Sequence, residues 1–263
     1  MSYSQQILSA LCHSPLFLDN LPEGSTFDRT YLNVPENPQP LNPQQKLGHL
    51  YEDGLLNLIE ASTRYDVLEK GLQLQRDRTQ TIGELDFLLR DKTSGQLIHL
   101  ELAVKFYLAI ETSGELLLPG PNSRDNYYNK LDRLRTHQLT LGNRFRQLLP
   151  STYQTEPLIS NQLTIGCLFD HISAPHKATP RFLHPLARRG LWLRQEEFIS
   201  HFPKNPRPLM IPKPLWPVEE NSIGEHQCEP LDLTSPLTRC TLVKLPSLTK
   251  PVFITPDEYP QQT

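Results

Sequence analysis

Asp86, Glu101 and Lys105 are the side chains whose types and spacing could do chemistry together. They lie on two short apolar-backed segments, Ile82–Arg90 and Gln96–Lys105, joined by Asp-Lys-Thr-Ser-Gly. Side chains alternate along a strand, so Glu84, Asp86, Leu88 and Arg90 share one face of the first segment. His99, Glu101, Ala103, Lys105 and Tyr107 share one face of the second, with Ile98, Leu100, Leu102, Val104 and Phe106 behind. If Asp91 pairs with Gln96 around the turn, Asp86 falls opposite Glu101 and Glu84 opposite Ala103. Carboxylates that meet on a strand pair repel unless a cation sits between them. The pattern therefore predicts a divalent-metal site with a lysine nearby.

Such a hairpin needs elements to hold it. Tyr65–Gln75 reads as the strand that enters it. Asn42-Pro43 reads as an N-cap with proline at the first helical position. The following helix carries Leu47, Tyr51, Leu55 and Leu58 on one stripe and ends near Ser62, with Glu52 beside the stripe. After the hairpin, a helix over about 123–148 lines up Tyr127, Leu131, Leu134, Gln138, Leu141, Phe145 and Leu148. Gln138 is an amide where the period calls for an apolar residue, and it needs a partner if buried. One reading gives it a structural bond to the sheet, the other a place near the metal or a phosphate. Lys130, Arg133 and His137 follow at i, i+3 and i+7 on an adjoining face, where they could touch phosphates together. Leu163–Phe169 reads as a buried parallel strand, which gives a β-β-β-α-β core. Gly190–Arg194 reads as a further strand and Gln195–Phe202 as a short helix capped by Pro203.

The hairpin with Asp86, Glu101 and Lys105 at strand spacing resembles the core of the PD-(D/E)xK nuclease superfamily. Together with the flanking helices, it is similar to a bacterial family catalogued as domain of unknown function 1853. The likeness spans roughly residues 47–141, with weaker echoes at G-C-L-F, R-G-L-W-L-R and P-V-F-I-T-P-D. The resemblance implies a restriction-endonuclease-like α/β fold, a mixed central sheet flanked by helices. It implies that Glu52, from the preceding helix, joins Asp86 and Glu101 in holding Mg2+ or Mn2+. Lys105 would orient or activate the attacking water, and the substrate would be DNA or RNA. In that pattern an acid stands two residues before the lysine, and here that position is Ala103. Four strand steps separate the Glu101 and Lys105 Cα atoms by roughly 13 Å. Three repairs stand open: a β-bulge, donation by Glu84 from across the ladder, or a site that no longer does chemistry.

At 263 residues the chain has enough length for one full α/β core with extensions. The reading places a nuclease-like domain over 1–202, with its core at about 44–170. Residues 1–41 read as irregular, with a short helix at Gln5–Cys12. A proline-rich extension over 203–263 holds 12 of the 25 prolines, reads as a tail that wraps the core or is partly disordered, and adds a late edge strand at P-V-F-I-T-P. No apolar run approaches the ~20 residues of a membrane helix. The N-terminal segment lacks a signal-peptide pattern, and the four cysteines form no C-x-x-C pair. These features read as a cytoplasmic protein with reduced thiols and no membrane partner. Its oligomeric state is not encoded legibly.

A net charge of −3 argues against a protein that coats DNA non-specifically. Local basic stretches at 124–148 and 177–194 suit an enzyme that grips a phosphate backbone briefly, or else are solvated surface. Two functions follow from the residues and the resemblance. One is a metal-dependent nuclease; the other is an inactive relative that binds nucleic acid or a protein. A third reading treats the hairpin acids as the wet face of an antiparallel sheet.

Overall fold

Apolar periodicity and turn chemistry set the elements of this computed structural model, which describes residues 2–77, 80–175, 178–202, 207–246 and 248–260. In chain order they begin with α1 (Tyr3–His13), β1 (Ser25–Thr26) and α2 (Leu47–Glu60). The strands β2 (Tyr65–Gln75), β3 (Thr81–Asp91) and β4 (Leu97–Leu108) follow, then the small hairpin β5 (Ile110–Thr112) and β6 (Glu115–Leu117). Next come α3 (Tyr127–Arg133), a π-helical segment (Leu134–Gln138), α4 (Leu139–Arg144) and β7 (Leu158–His171). The remainder is β8 (Arg189–Arg194), α5 (Gln195–His201), β9 (Leu209–Met210), β10 (Glu229–Pro230), β11 (Thr241–Lys244) and β12 (Val252–Thr255). The result is a mixed α/β chain with large mixed sheet structure and flanking helices. No helix among the described residues is long and apolar enough to cross a membrane.

The chain divides into two compact units, each assembled from separate stretches. The first comprises Met1–His13, Leu18–Val104 and Leu131–Ile165. Its strand order is β2-β3-β4-β7, with β1 alongside β7 in parallel. β2 and β3 pair antiparallel over almost their whole length, with register shifts at Val67/Glu69 and Leu74/Gln75. Leu85, Leu88 and Leu97 from the strands pack with Leu141, Leu149 and Leu158 in one core cluster. Burial of each such side chain contributes roughly 1.5–3 kcal/mol.

The second unit comprises Ser14–Phe17, Lys105–Lys130 and Gly166–Thr263. Here β7 pairs parallel with β8, β8 parallel with β12, and β12 antiparallel with β11. β9 and β10 complete the order. The core gathers Leu193, Phe198, Val243, Val252 and Ile254. At Gly166 β7 comes so close to β4 that a Cβ would stand 1.8 Å from the Lys105 carbonyl oxygen, at φ +156°. Only glycine fits such an approach.

Four expectations need correction. Asn42 does not cap α2, which begins at Leu47; Asn42 instead closes a local turn, its Oδ1 accepting from Gln44 N–H at 3.0 Å. The helix expected over 123–148 runs over 127–144, and its middle turn, Leu134–Gln138, is wound as a π-helix between α3 and α4. The stretch expected as a wrapping tail supplies β9 to β12 to the sheet. Its P-V-F-I-T-P strand is interior, lying between β11 and β8. Pro251 and Pro256 bracket that strand instead of interrupting it, so the missing N–H groups fall outside the ladder. Pro203, expected to cap α5, and Lys177, counted in a basic stretch, lie outside the described residues.

Candidate functional site

The site begins with a turn. Asp91 N–H donates to Gln96 O at 3.0 Å. The Asp91 Oδ1 accepts from the backbone of Thr93 at 2.8 Å and Ser94 at 3.2 Å, and Gly95 takes φ +73°. These bonds fix the register of β3 against β4: Phe87 with Leu100, Leu88 with His99, Leu89 with Ile98 and Arg90 with Leu97. The pairing runs as far as Phe87 with Leu100, one step short of Asp86 and Glu101. The Asp86 Oδ2 accepts from Leu102 N–H at 2.8 Å, which ties the carboxyl to the partner strand.

Glu101 is 1% exposed and His99 is fully buried, so this face of the hairpin is covered and the wet-face reading fails for both. Each oxygen of Glu101 has its own donor. His99 Nε2–H donates to Oε1 at 2.7 Å, and Gln138 Nε2–H donates to Oε2 at 2.7 Å. Gln138 thus points inward, as the interrupted apolar stripe predicts. It is the last residue of the π-helical segment, and π turns recur where a helix must aim a functional side chain.

Asp86 is the most perturbed acid of this cluster. Burial pushes its carboxyl up, Glu101 adds like-charge repulsion, and Glu52 and Glu84 act in the same direction. The Leu102 N–H bond opposes them, and the net result is a carboxyl raised to about 8. Three acids predicted around the hairpin therefore act electrostatically on one side chain. Glu52 keeps a fifth of its side chain exposed and accepts from His49 Nδ1 at 3.2 Å. Glu84 pairs with Gln73 across the β2–β3 ladder and is exposed.

The basic residues are placed differently. Lys105 belongs to the second unit, where burial lowers its amine, Asp125 raises it and Lys130 lowers it. Lys130 is ion-paired with Asp125 at 3.0 Å. Arg133 is exposed, and the π turn that follows it breaks the regular spacing to His137. His137 is half-buried, its Nε2 3.5 Å from where a Cβ on Gly83 would stand. Several other members of the basic stretches are neutralised locally. Arg135 forks onto Glu23 at 2.7 and 2.8 Å, Arg188 pairs with Glu220, and Arg189 with Asp170.

Sequence reasoning placed His99 on the acidic face but gave it no role. Its signal was available: a side chain two residues from Glu101 on a strand is its immediate neighbour on that face. Among the described residues, no group of three His, Cys, Asp or Glu side chains is set to hold a metal. Asp86 and Glu101 remain as two acids near enough to repel, and a carboxylate pair is a donor set that suits a hard cation.

The model of one family, described as a domain of unknown function (DUF1853), matches residues 25–235. No curated protein and no solved structure matches the chain.

Proposed function

The chain belongs to the DUF1853 family, a membership that brings no activity with it, and we propose that it is a Mg2+- or Mn2+-dependent phosphodiesterase acting on nucleic acid, with Asp86 and Glu101 as the carboxylates that hold the cation. The observation that carries this reading is Asp86 Oδ2 held on the N–H of Leu102, the residue next to the buried and doubly hydrogen-bonded Glu101, close enough for the two acids to repel. Close acids under cover need either a proton or a cation between them. Two carboxylates suit magnesium, which is commonly bound by one or two of them plus waters and substrate phosphates.

When bound, the cation would polarise the scissile phosphate and lower the pKa of a water. The protein's own residues do the positioning. Gln138 fixes one Glu101 oxygen and the Leu102 N–H fixes one Asp86 oxygen, while Glu52 and Glu84 deepen the negative potential. The superfamily pattern gives Lys105 the task of orienting water or stabilising developing charge. Lys105→Ala puts that assignment to its own test, with cleavage lost and the fold retained as the expected result.

Calorimetric titration with Mg2+ and Mn2+ tests the reading. Binding in the wild type that vanishes in Asp86→Asn, alongside cleavage of labelled DNA or RNA, is expected. Ala103, at the position where the pattern expects an acid, favours a second reading: an inactive relative that binds nucleic acid or a protein. A wild-type chain that binds neither metal and cuts no single- or double-stranded substrate decides for that second reading.

A further inference from the structure

We propose that His99 is a positioning residue of the cation site, setting the Glu101 carboxylate through its Nε2–H. The inference rests on the cation reading above. It begins with a match of two repeats. Two residues of a strand span about 6.6 Å, and four residues of an α-helix rise about 6 Å. Glu101 and His99 are two apart on β4, while Gln138 and Gly142 are four apart on the covering helix. Gln138 lies over Glu101 at 2.7 Å, and Gly142 lies over His99, where a Cβ would come 3.5 Å from Nδ1. The helix thus presents an amide to the carboxylate and a bare Cα to the imidazole.

His99 is fully buried, so it reaches nothing outside the protein except through Glu101. Its Nδ1 has no hydrogen-bond partner among the described residues. A leucine at this point would remove the unpartnered Nδ1 but would leave the buried Glu101 Oε1 without its donor. What a leucine could not do is hold Oε1. With Gln138 on Oε2, the imidazole leaves the Glu101 carboxylate a single orientation, which is the work outer partners do for metal-ligating groups.

Mn2+ affinity of the full chain, by calorimetry, tests this in three variants with circular dichroism as the check on folding. His99→Leu is expected to weaken binding about 10- to 100-fold. His99→Gln places an amide where Nε2 stands and recovers most of the affinity, whereas His99→Asn is one bond too short and does not. Should His99→Leu fail to fold, the Gln and Asn variants decide between them. Equal affinities in those two overturn the positioning role while leaving the cation site standing. A wild type that takes up no Mn2+ overturns the cation reading, and this inference with it.

Discussion

Replacing Asp86 by asparagine should stabilise the metal-free protein strongly at alkaline pH and only about a third as much in mild acid near pH 5. Folded Asp86 keeps its proton up to about 8, against 3.8 for an unperturbed carboxyl. Between those values the folded state binds more protons than the unfolded chain, so wild-type stability falls as pH rises through that window. Below it both states are protonated and the cost is absent. At 1.36 kcal/mol per pKa unit the full shift corresponds to about 5–6 kcal/mol, a ceiling that side-chain relaxation and water entry reduce. We expect an effect of about 2–3 kcal/mol. Asparagine keeps an oxygen for the Leu102 N–H and can donate its amide towards Glu101, so the substitution removes the charge and little else. Urea unfolding with EDTA at about pH 5 and about pH 8.5 measures it. The wild-type midpoint should drop between the two and that of Asp86→Asn should stay level. Mg2+ at the higher pH should then restore the wild type alone. An Asp86→Asn protein no more stable than wild type at the higher pH would refute the buried like-charge account.

Gly166→Ala should abolish soluble folding or lower stability by at least about 3 kcal/mol, because its Cβ has no room beside the Lys105 carbonyl; a urea midpoint near that of wild type contradicts this. Arg189→Ala should cost about 3–5 kcal/mol by leaving Asp170, only 2% exposed, without its forked guanidinium. Adding Asp170→Asn should recover part of that loss, and an unchanged midpoint in the single variant would be the contrary result. Burial pushes the Cys167 thiol up to about 12, so iodoacetamide at about pH 8 should spare it in native protein and modify it in urea, read by peptide mass.

The parts of the fold set by local chemistry were legible in the sequence. The Asp91-to-Gly95 turn and the alternation on both sides were enough to set the β3–β4 register as far as Phe87 with Leu100. The interrupted stripe was enough to turn Gln138 inward. Less local features were hidden. The π turn has no residue signature, since any five residues of good helix former can adopt it when a neighbour such as Glu101 rewards the altered phase. Asn42-Pro43 has the form of a helix start, but its side chain satisfies a turn four residues too early. P-V-F-I-T-P looked like an edge because of its prolines, and only the pairing shows that both sit outside the ladder. His99 was visible yet unassigned, since nothing in spacing alone says that a buried imidazole will hold a carboxylate.

The interior place of β12 has a consequence for synthesis. β8 and its parallel neighbour on that side are separated by almost sixty residues of chain, yet Val252–Thr255 is the strand that β8 needs. As the nascent chain leaves the ribosome, β8 and the apolar side chains of Leu191 and Leu193 emerge long before their partner exists. Until then that edge offers unpaired N–H and C=O groups to any other extended segment nearby. The second unit therefore closes late, by insertion of a strand between two others. A cell making this protein has to shelter a half-built sheet for the several seconds in which the stretch from β8 to β12 is translated.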